Sequence, residues 1–320
     1  MPDDTGTSAT PLERIARKLA TDGVLLGVLG ACLVLLAAAA VIHVPQTAVG
    51  LSIRVRDVRM RMASDYAAVD VRLGKGASLT ASRFGGISTF EPTCQTSQEV
   101  TLKGDLSIAI LNLRASADLG VSAIGTQGVD LAIVGPASVQ IGVTGPVKKN
   151  DRLCSTADAV FTLDTDTGKG YEAHLIIGTA LGQTSDFKLH NLRVSQLRFD
   201  HHAAGTVGLT GSDSSVLSGS LLVGESDKPI SLHESEVVML DGVDGTVQTI
   251  ALDKGDVSVE FRGHVDGVAL GRAPDRRDLR PTILVWLSRS DWLRTSGAVL
   301  GAVLLILWRV RVWVRNEEGS

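Results

Sequence analysis

Hydrophobic positions along the chain follow two regimes. Two uninterrupted apolar runs lie near the ends, Gly23 to Ile42 (GVLLGVLGACLVLLAAAAVI) and Thr295 to Trp308 (TSGAVLGAVLLILW), and neither holds a charge. Between them, from about residue 50 to 271, apolar and polar residues alternate, and Gly, Asp, Asn or Ser interrupts the pattern every seven to twelve positions. Clear cases are Leu106-Ile108-Ile110, Val139-Ile141-Val143, Phe187-Leu189 and Val257-Val259-Phe261. A period of two places apolar side chains on one face of a strand, and no helical periodicity of comparable strength competes with it. Phe161 to Leu163 and Ala173 to Ile177 flank the polar DTDTGKGYE and predict a hairpin, while Asp241-Gly242 and Asp244-Gly245 predict a turn. Strand-length segments between glycines recur without a fixed spacing, so the pattern does not by itself point to a repeat protein. The expected fold is therefore an all-β extracytoplasmic domain, a sandwich, meander or solenoid, between two transmembrane α-helices.

The first run is twenty residues long, about 30 Å of helix, the thickness of a bilayer core. Thr10-Pro11-Leu12-Glu13 carries the cap, the first-turn proline and the acidic N3 residue of a helix start. Arg14, Arg17 and Lys18 supply the basic flank of a cytoplasmic tail. No small-x-small cleavage site follows Ile42, which favours an uncleaved anchor over a signal peptide. The second run is fourteen residues, about 21 Å of helix. Its apolar pattern continues to Val314 past Arg309 and Arg311, whose long stems can reach the headgroups. Trp292, Trp308 and Trp313 bracket it as interfacial residues do, and Pro281 to Leu293 reads as a short amphipathic helix on the membrane surface.

The resulting division is a tail over 1–22, a span over 23–42, a β-rich domain over 43–280, an interfacial helix over 281–293, a span over 294–314 and a tail over 315–320. Basic residues near the spans number six on the tail side (Arg14, Arg17, Lys18, Arg309, Arg311, Arg315) and four on the loop side (Arg54, Arg56, Arg289, Arg294). That bias places both tails in the cytoplasm and the domain in the periplasm of a bacterial inner membrane. Gly23, Gly27 and Ala31 share one face of the first run, and Gly297 and Gly301 one face of the second. Such small faces let helices approach closely or self-associate.

One strand stands out for its charge. In LSIRVRDVRMRM, residues 51 to 62, Leu51, Ile53 and Val55 face one way and Arg54 and Arg56 the other. After a slip at Asp57, which a β-bulge would produce, Val58, Met60 and Met62 continue the apolar face and Arg59 and Arg61 the basic one. Four arginines in a row predict either pairing with carboxylates on the next strand, such as Asp70, or a site for an anionic lipid, a glycolipid or an acidic partner.

Composition narrows the function. The chain has 320 residues and a formal net charge of −4, which argues against a nucleic-acid partner. Aromatics are 4% and Gly numbers 34, as suits short strands and many turns. Arg outnumbers Lys, which hints at a GC-rich bacterial source. Of three cysteines, Cys32 lies in the first apolar run, and Cys94 with Cys154 predicts one disulfide in an oxidising compartment.

Motifs for chemistry are weak. Neighbouring residues of a strand face opposite sides, so Asp200-His201-His202 suits a polar strand end better than a metal site, with or without His190 and His233. DTDTGKGYE begins like a calcium loop, but Gly168 and Leu175 stand where ligands belong. His233-Glu234 lacks the second histidine of a zinc-protease helix, and neither a GxSxG elbow nor a Walker loop occurs. The Ser-rich 212–220 stretch offers hydroxyls but no defined triad. The reading is a non-enzymatic scaffold or interaction protein of the cell envelope, without cofactor, that meets the membrane and a protein partner or a second copy. The alternatives are a lipid- or glycolipid-handling β-groove and an envelope hydrolase.

Overall fold

The structure is a computed structural model that describes residues 30, 34–35, 37–73, 77–84, 86–89, 99–125, 128–149, 152–155, 159–165, 172–178, 187–201, 213–224, 228–271 and 275–289. The chain divides into two compact units, Pro45–Arg280 and a second made of residues 1–44 with 281–320.

The Pro45–Arg280 unit is built of strands. Its first half holds β1 (Thr47–Val55), β2 (Asp57–Met62), β3 (Tyr66–Arg72), β4 (Ala77–Ser82), β5 (Gly86–Thr89), β6 (Glu99–Leu113), β7 (Asp118–Ile124), β8 (Gly128–Val134) and β9 (Ala137–Lys149). Then come β10 (Arg152–Ser155), β11 (Ala159–Asp164), β12 (Ala173–Gly178), β13 (Lys188–Arg198), β14 (Asp200–His201), β15 (Asp213–Ser214) and β16 (Val216–Val223). The last are β17 (Ile230–Leu232), β18 (Val238–Asp241), β19 (Asp244–Asp253), β20 (Asp256–Val265), β21 (Gly267–Leu270) and β22 (Arg277–Asp278).

Seventeen of these strands share one sheet. Following the backbone registers from edge to edge gives β17, β16, β1, β20, β19, β13, β2, β7, β8, β12, β4, β6, β9, β11, β5, every pair antiparallel. The long β6 takes β4 and β3 in succession along one edge, and β9 takes β11 and β10. Strands adjacent in sequence are often far apart in this order, so the sheet is not a meander. Among the described residues the two outermost strands, β17 and β5, are short, which limits the edge open to foreign strands. Inward side chains from nearly every strand join one contiguous apolar cluster, from Val49 to Val268. A single sheet of this width can shield one apolar face only by folding back over itself.

The segment 47–62 shows how local pattern becomes tertiary structure. Val49, Leu51, Ile53, Val55, Val58, Met60 and Met62 are all no more than 3% exposed, as the alternation predicts. The slip differs in kind from the expected bulge at Asp57. The strand breaks at Arg56, where the chain exchanges its neighbours: β1 lies between β16 and β20, whereas β2 lies between β7 and β13. At the crossing the Arg56 N–H donates to the Ser215 carbonyl, and the Arg56 carbonyl accepts from the Ala123 N–H, both at 2.9 Å.

Two further expectations change. The strands flanking DTDTGKGYE do not form a hairpin, because β11 pairs with β9 and β5 while β12 pairs with β8 and β4. Asp70 is not beside the arginine strand, because β3 pairs with β6. Of the predicted turn at Asp241-Gly242 and Asp244-Gly245, the first half is present, with Gly242 at φ +58° between β18 and β19, whereas Asp244 and Gly245 lie within β19.

In the other unit, residues 37–41 are helical and a second helix covers Ile283–Arg289. The segments beside them run antiparallel. His43 bridges Thr282, the Val44 N–H donates to the Pro281 carbonyl at 3.1 Å, and the Ile283 N–H donates to the Ile42 carbonyl at 2.8 Å. Among the described residues no helix is long and apolar enough to cross a membrane. The second apolar run, most of the first, and the small-residue positions Gly23, Gly27, Ala31, Gly297 and Gly301 lie outside the described residues.

One packing detail yields a test. Gly245 and Gly263 are cross-strand partners on β19 and β20, and a Cβ at either would come within 2.8 Å of the Phe261 ring. The two glycines make the slot that this buried ring fills. Gly245→Ala or Gly263→Ala should cost about 1–3 kcal/mol through overpacking. Gly50→Ala, whose Cβ would meet Leu222 at an ordinary 3.6 Å, should leave stability unchanged or raise it by up to about 1 kcal/mol. Denaturant midpoints of the three variants check the contrast.

Candidate functional site

The arginine row lies on the outer, solvent-facing side of the sheet, and each member faces a carboxylate from a different element. Arg54 reaches Asp253 on β19 at 2.5 Å. Arg56 stands 3.9 Å from Glu234, both groups about two-thirds exposed (66% and 69%). Arg59 lies 3.5 Å from Glu172, just ahead of β12. Arg61 and Asp118 are direct cross-strand partners on β2 and β7, and the guanidinium donates to both carboxylate oxygens, at 2.7 and 2.9 Å. Those two hydrogen bonds, and then the charge of Asp118, hold Arg61 above the ordinary guanidinium range. The fork-to-fork geometry makes this the best-formed pair of the four.

Sequence reasoning missed the group that gathers around this row. Arg198 on β13 is the cross-strand partner of Arg59, and Gln196 that of Arg61. On the other side of β2, Arg59 faces Gly120, which in turn faces Ala132 on β8. Because these two positions carry almost no side chain, the sheet dips here into a depression of about 140 Å³, bordered by Arg59, Arg61, Arg198, Asp118, Glu172 and Gln196. A Cβ at Gly120 would stand 3.2 Å from the Ala132 Cβ, so a larger residue would fill the hollow. Behind it runs a chain of charge. Glu172 lies 3.9 Å from Nε2 of His174, whose Nδ1 lies 3.0 Å from Asp130. His174 and Asp130 are the more sheltered members, at 25% and 20% exposure. No sequence motif could have disclosed this set, since it depends on β2 lying between β13 and β7.

The other candidates are quickly placed. Asp200 and His201 form β14, a two-residue bridge to Asp213 and Ser214, so this cluster begins at a strand end. His190 on β13 makes a 3.4 Å contact with Thr249, and His233 lies in the turn after β17. Among the described residues, no cluster of His, Cys, Asp or Glu has the makings of a metal site. Cys94 lies outside the described residues, and of Cys154 only the backbone, within β10, is described. A second depression, about 560 Å³, opens where β3 and β9 begin and β6 and β11 end, beside Asp65 and Arg114. There Asp65 accepts the Ala115 N–H at 2.8 Å and an Arg114 N–H at 2.9 Å. The backbone bond, and then the Arg114 bond, hold its carboxyl below the usual range.

Two outcomes follow from these contacts. Double-mutant cycles should give Arg61–Asp118 a larger coupling than Arg56–Glu234, since only the former combines two short hydrogen bonds with a fixed register. A lowered carboxyl in the folded state contributes stability above the unfolded value, about pH 3.9, and that contribution disappears as pH falls through the lowered one. Asp65→Asn should therefore lose stability at neutral pH and show a flatter stability curve below about pH 4 than the unaltered protein. Denaturant titrations across pH 2 to 7 measure the difference.

No family model matches the chain, and no curated protein matches it either. Among solved structures, the chain shows faint likeness to SCP-B, a member of the eqolisin family of peptidases bound to the tripeptide Ala-Ile-His, and to Scytalido-glutamic peptidase with a peptide-based transition-state analogue. For both, identity is 11%, the match covers 67% of this chain and 97% of the other, and the TM-score is 0.11. A TM-score of that size carries no argument about fold or activity.

Proposed function

We propose that the chain is a non-enzymatic, two-pass protein of a bacterial inner membrane, with both tails in the cytoplasm and a periplasmic β-domain that docks envelope partners. The observation that carries this reading is the placement of exposed apolar side chains. Ten large apolar side chains stand exposed among the described residues, and seven belong to the unit that contains the apolar runs: Val34, Leu35, Val41, Ile42, Leu284, Val285 and Trp286. Val41 is 73% exposed and Trp286 47%. Surface of that kind calls for a bilayer or another protein to cover it. The Pro45–Arg280 unit, in contrast, encloses its own core.

The paired segments 42–44 and 281–283 add to this. They bring the end of the first apolar run beside the approach to the second, as a domain held at both ends by one membrane would require. The docking role is supported by the outer sheet face, where Ile176 and Leu222 stand exposed on β12 and β16.

Alkaline phosphatase inserted near Gly211 should be active in cells, and the same enzyme fused after Ser320 inactive. A disulfide between Cys94 and Cys154 belongs to the same reading, and non-reducing digestion of membrane-localised protein should recover the linked peptides by mass spectrometry. The reverse reporter pattern, together with free thiols at both positions, would overturn the proposed side of the membrane. For the docking role, a photocrosslinking side chain at Ile176 or Leu222 should give a discrete protein adduct. Recovery of lipid adducts alone would sink it.

A further inference from the structure

We propose that the depression between Arg59 and Arg198 binds the phosphate group of a phosphate ester with an apolar arm. The site lies wholly within Pro45–Arg280 and stands whether or not the chain is anchored in a membrane. Its basis is an imbalance that the rest of the row lacks. Arg59 and Arg198 are directly opposite one another on antiparallel strands, an arrangement that like charges disfavour. Arg54, Arg56, Arg59 and Arg61 each face a carboxylate, but among the described residues Arg198 has no ion-pair partner. Among the described residues, three guanidinium groups and two carboxylates border the hollow, which leaves one positive charge over.

The two carboxylates do not block an incoming anion. Both oxygens of Asp118 are already engaged by Arg61. Glu172 holds Arg59 only at 3.5 Å and has His174 at 3.9 Å as a second partner, so Arg59 can turn toward a ligand without leaving Glu172 alone. Two guanidinium groups bordering one hollow match a tetrahedral oxyanion better than a planar carboxylate, because each fork can grip its own pair of oxygens. The Gly120–Ala132 floor supplies the room.

Size and surroundings define the ligand further. At about 140 Å³ the hollow is smaller than the roughly 300–1,000 Å³ of pockets that enclose whole small molecules. It grips a headgroup. Arg198 also borders a second depression of about 190 Å³, where Phe199, Met239 and Leu240 offer the ester's arm apolar contacts beside the polar Ser214 and Asp241. A phospholipid headgroup and a soluble phosphate ester share this chemistry, and affinity separates them.

The test is isothermal titration of the full chain in non-ionic detergent with inorganic phosphate, glycerol phosphate and a short-chain phosphatidylglycerol kept below its micelle concentration. Saturable binding of the esters is expected. Arg59→Gln and Arg198→Gln should each weaken it about tenfold or more, the contribution of a charge-assisted hydrogen bond. Arg198→Lys keeps the charge without the fork and should weaken binding less than Arg198→Gln. Arg54→Gln, on the same row but outside the hollow, should bind like the unaltered protein. Tighter binding of the phosphatidylglycerol than of glycerol phosphate is expected and identifies a lipid source, whereas equal binding of the two would refute the apolar arm. Absence of saturable binding to all three titrants would refute the site. So would unchanged affinity in Arg198→Gln, or an equal loss in Arg54→Gln, which would mean diffuse attraction to a basic surface.

Discussion

The sheet depends on the backbone hydrogen bonding of residues 47–62. This stretch supplies two separate strands, one between β16 and β20 and one between β7 and β13. Buried peptide groups must find partners along both edges, so the chain can change neighbours only where its N–H and carbonyl are met in passing. Arg56 is that place, with Ser215 on one side and Ala123 on the other. Its own side chain is solvent-exposed, which lets the crossing occur without opening the core. The single-residue offset then returns Val58, Met60 and Met62 to the same buried face as Leu51, Ile53 and Val55. Without it, period-two alternation would turn that whole set toward water.

The same geometry governs the charges outside. Once β2 is fixed between β13 and β7, its outward residues acquire definite opposites: Arg61 meets Asp118 and Gln196, and Arg59 meets Gly120 and Arg198. Exposed ion pairs add little stability individually, and the pairs with Asp253, Glu234 and Glu172 are of that kind. Their effect is to lower the mutual repulsion of four arginines on one strand. The Arg59–Arg198 opposition is the point at which that compensation is incomplete, and Gly120 and Ala132 make it the point where the surface is hollow.

What the sequence discloses and what it hides divide along a physical line. Alternation is local, so the buried faces of 51–62, 139–143 and 257–261 could be read directly, as could the bend at Gly242; in β6 the register slips after Ile108, and Leu111 rather than Ile110 continues the buried face. Pairing is not local. Asp70 is close to the arginines in sequence, yet β3 goes to β6. The strands around DTDTGKGYE resemble a hairpin, yet each inserts between other strands. A two-residue period says which face a side chain takes and nothing about which strand lies beside it. Arg198 and Glu172 were invisible for that reason: nothing near either residue differs from an ordinary solvated strand end.

The boundary of the β-unit carries its own constraint. Pro45–Arg280 begins and ends next to residues that are hydrogen-bonded to each other, Val44 to Pro281 and Ile42 to Ile283. Holding the ends of a long segment together removes conformations from its unfolded ensemble, and the effect grows only slowly with segment length. A membrane that fixed both flanking segments would impose the same restriction continuously. The proposed anchors would then do more than keep the domain near the bilayer. They would favour the folded sheet, whose strand order brings together residues as remote as Val49, Val223 and Gly263. A sheet assembled from such distant pairings is slow to form from a free chain, and tethering its ends shortens the search that those pairings require.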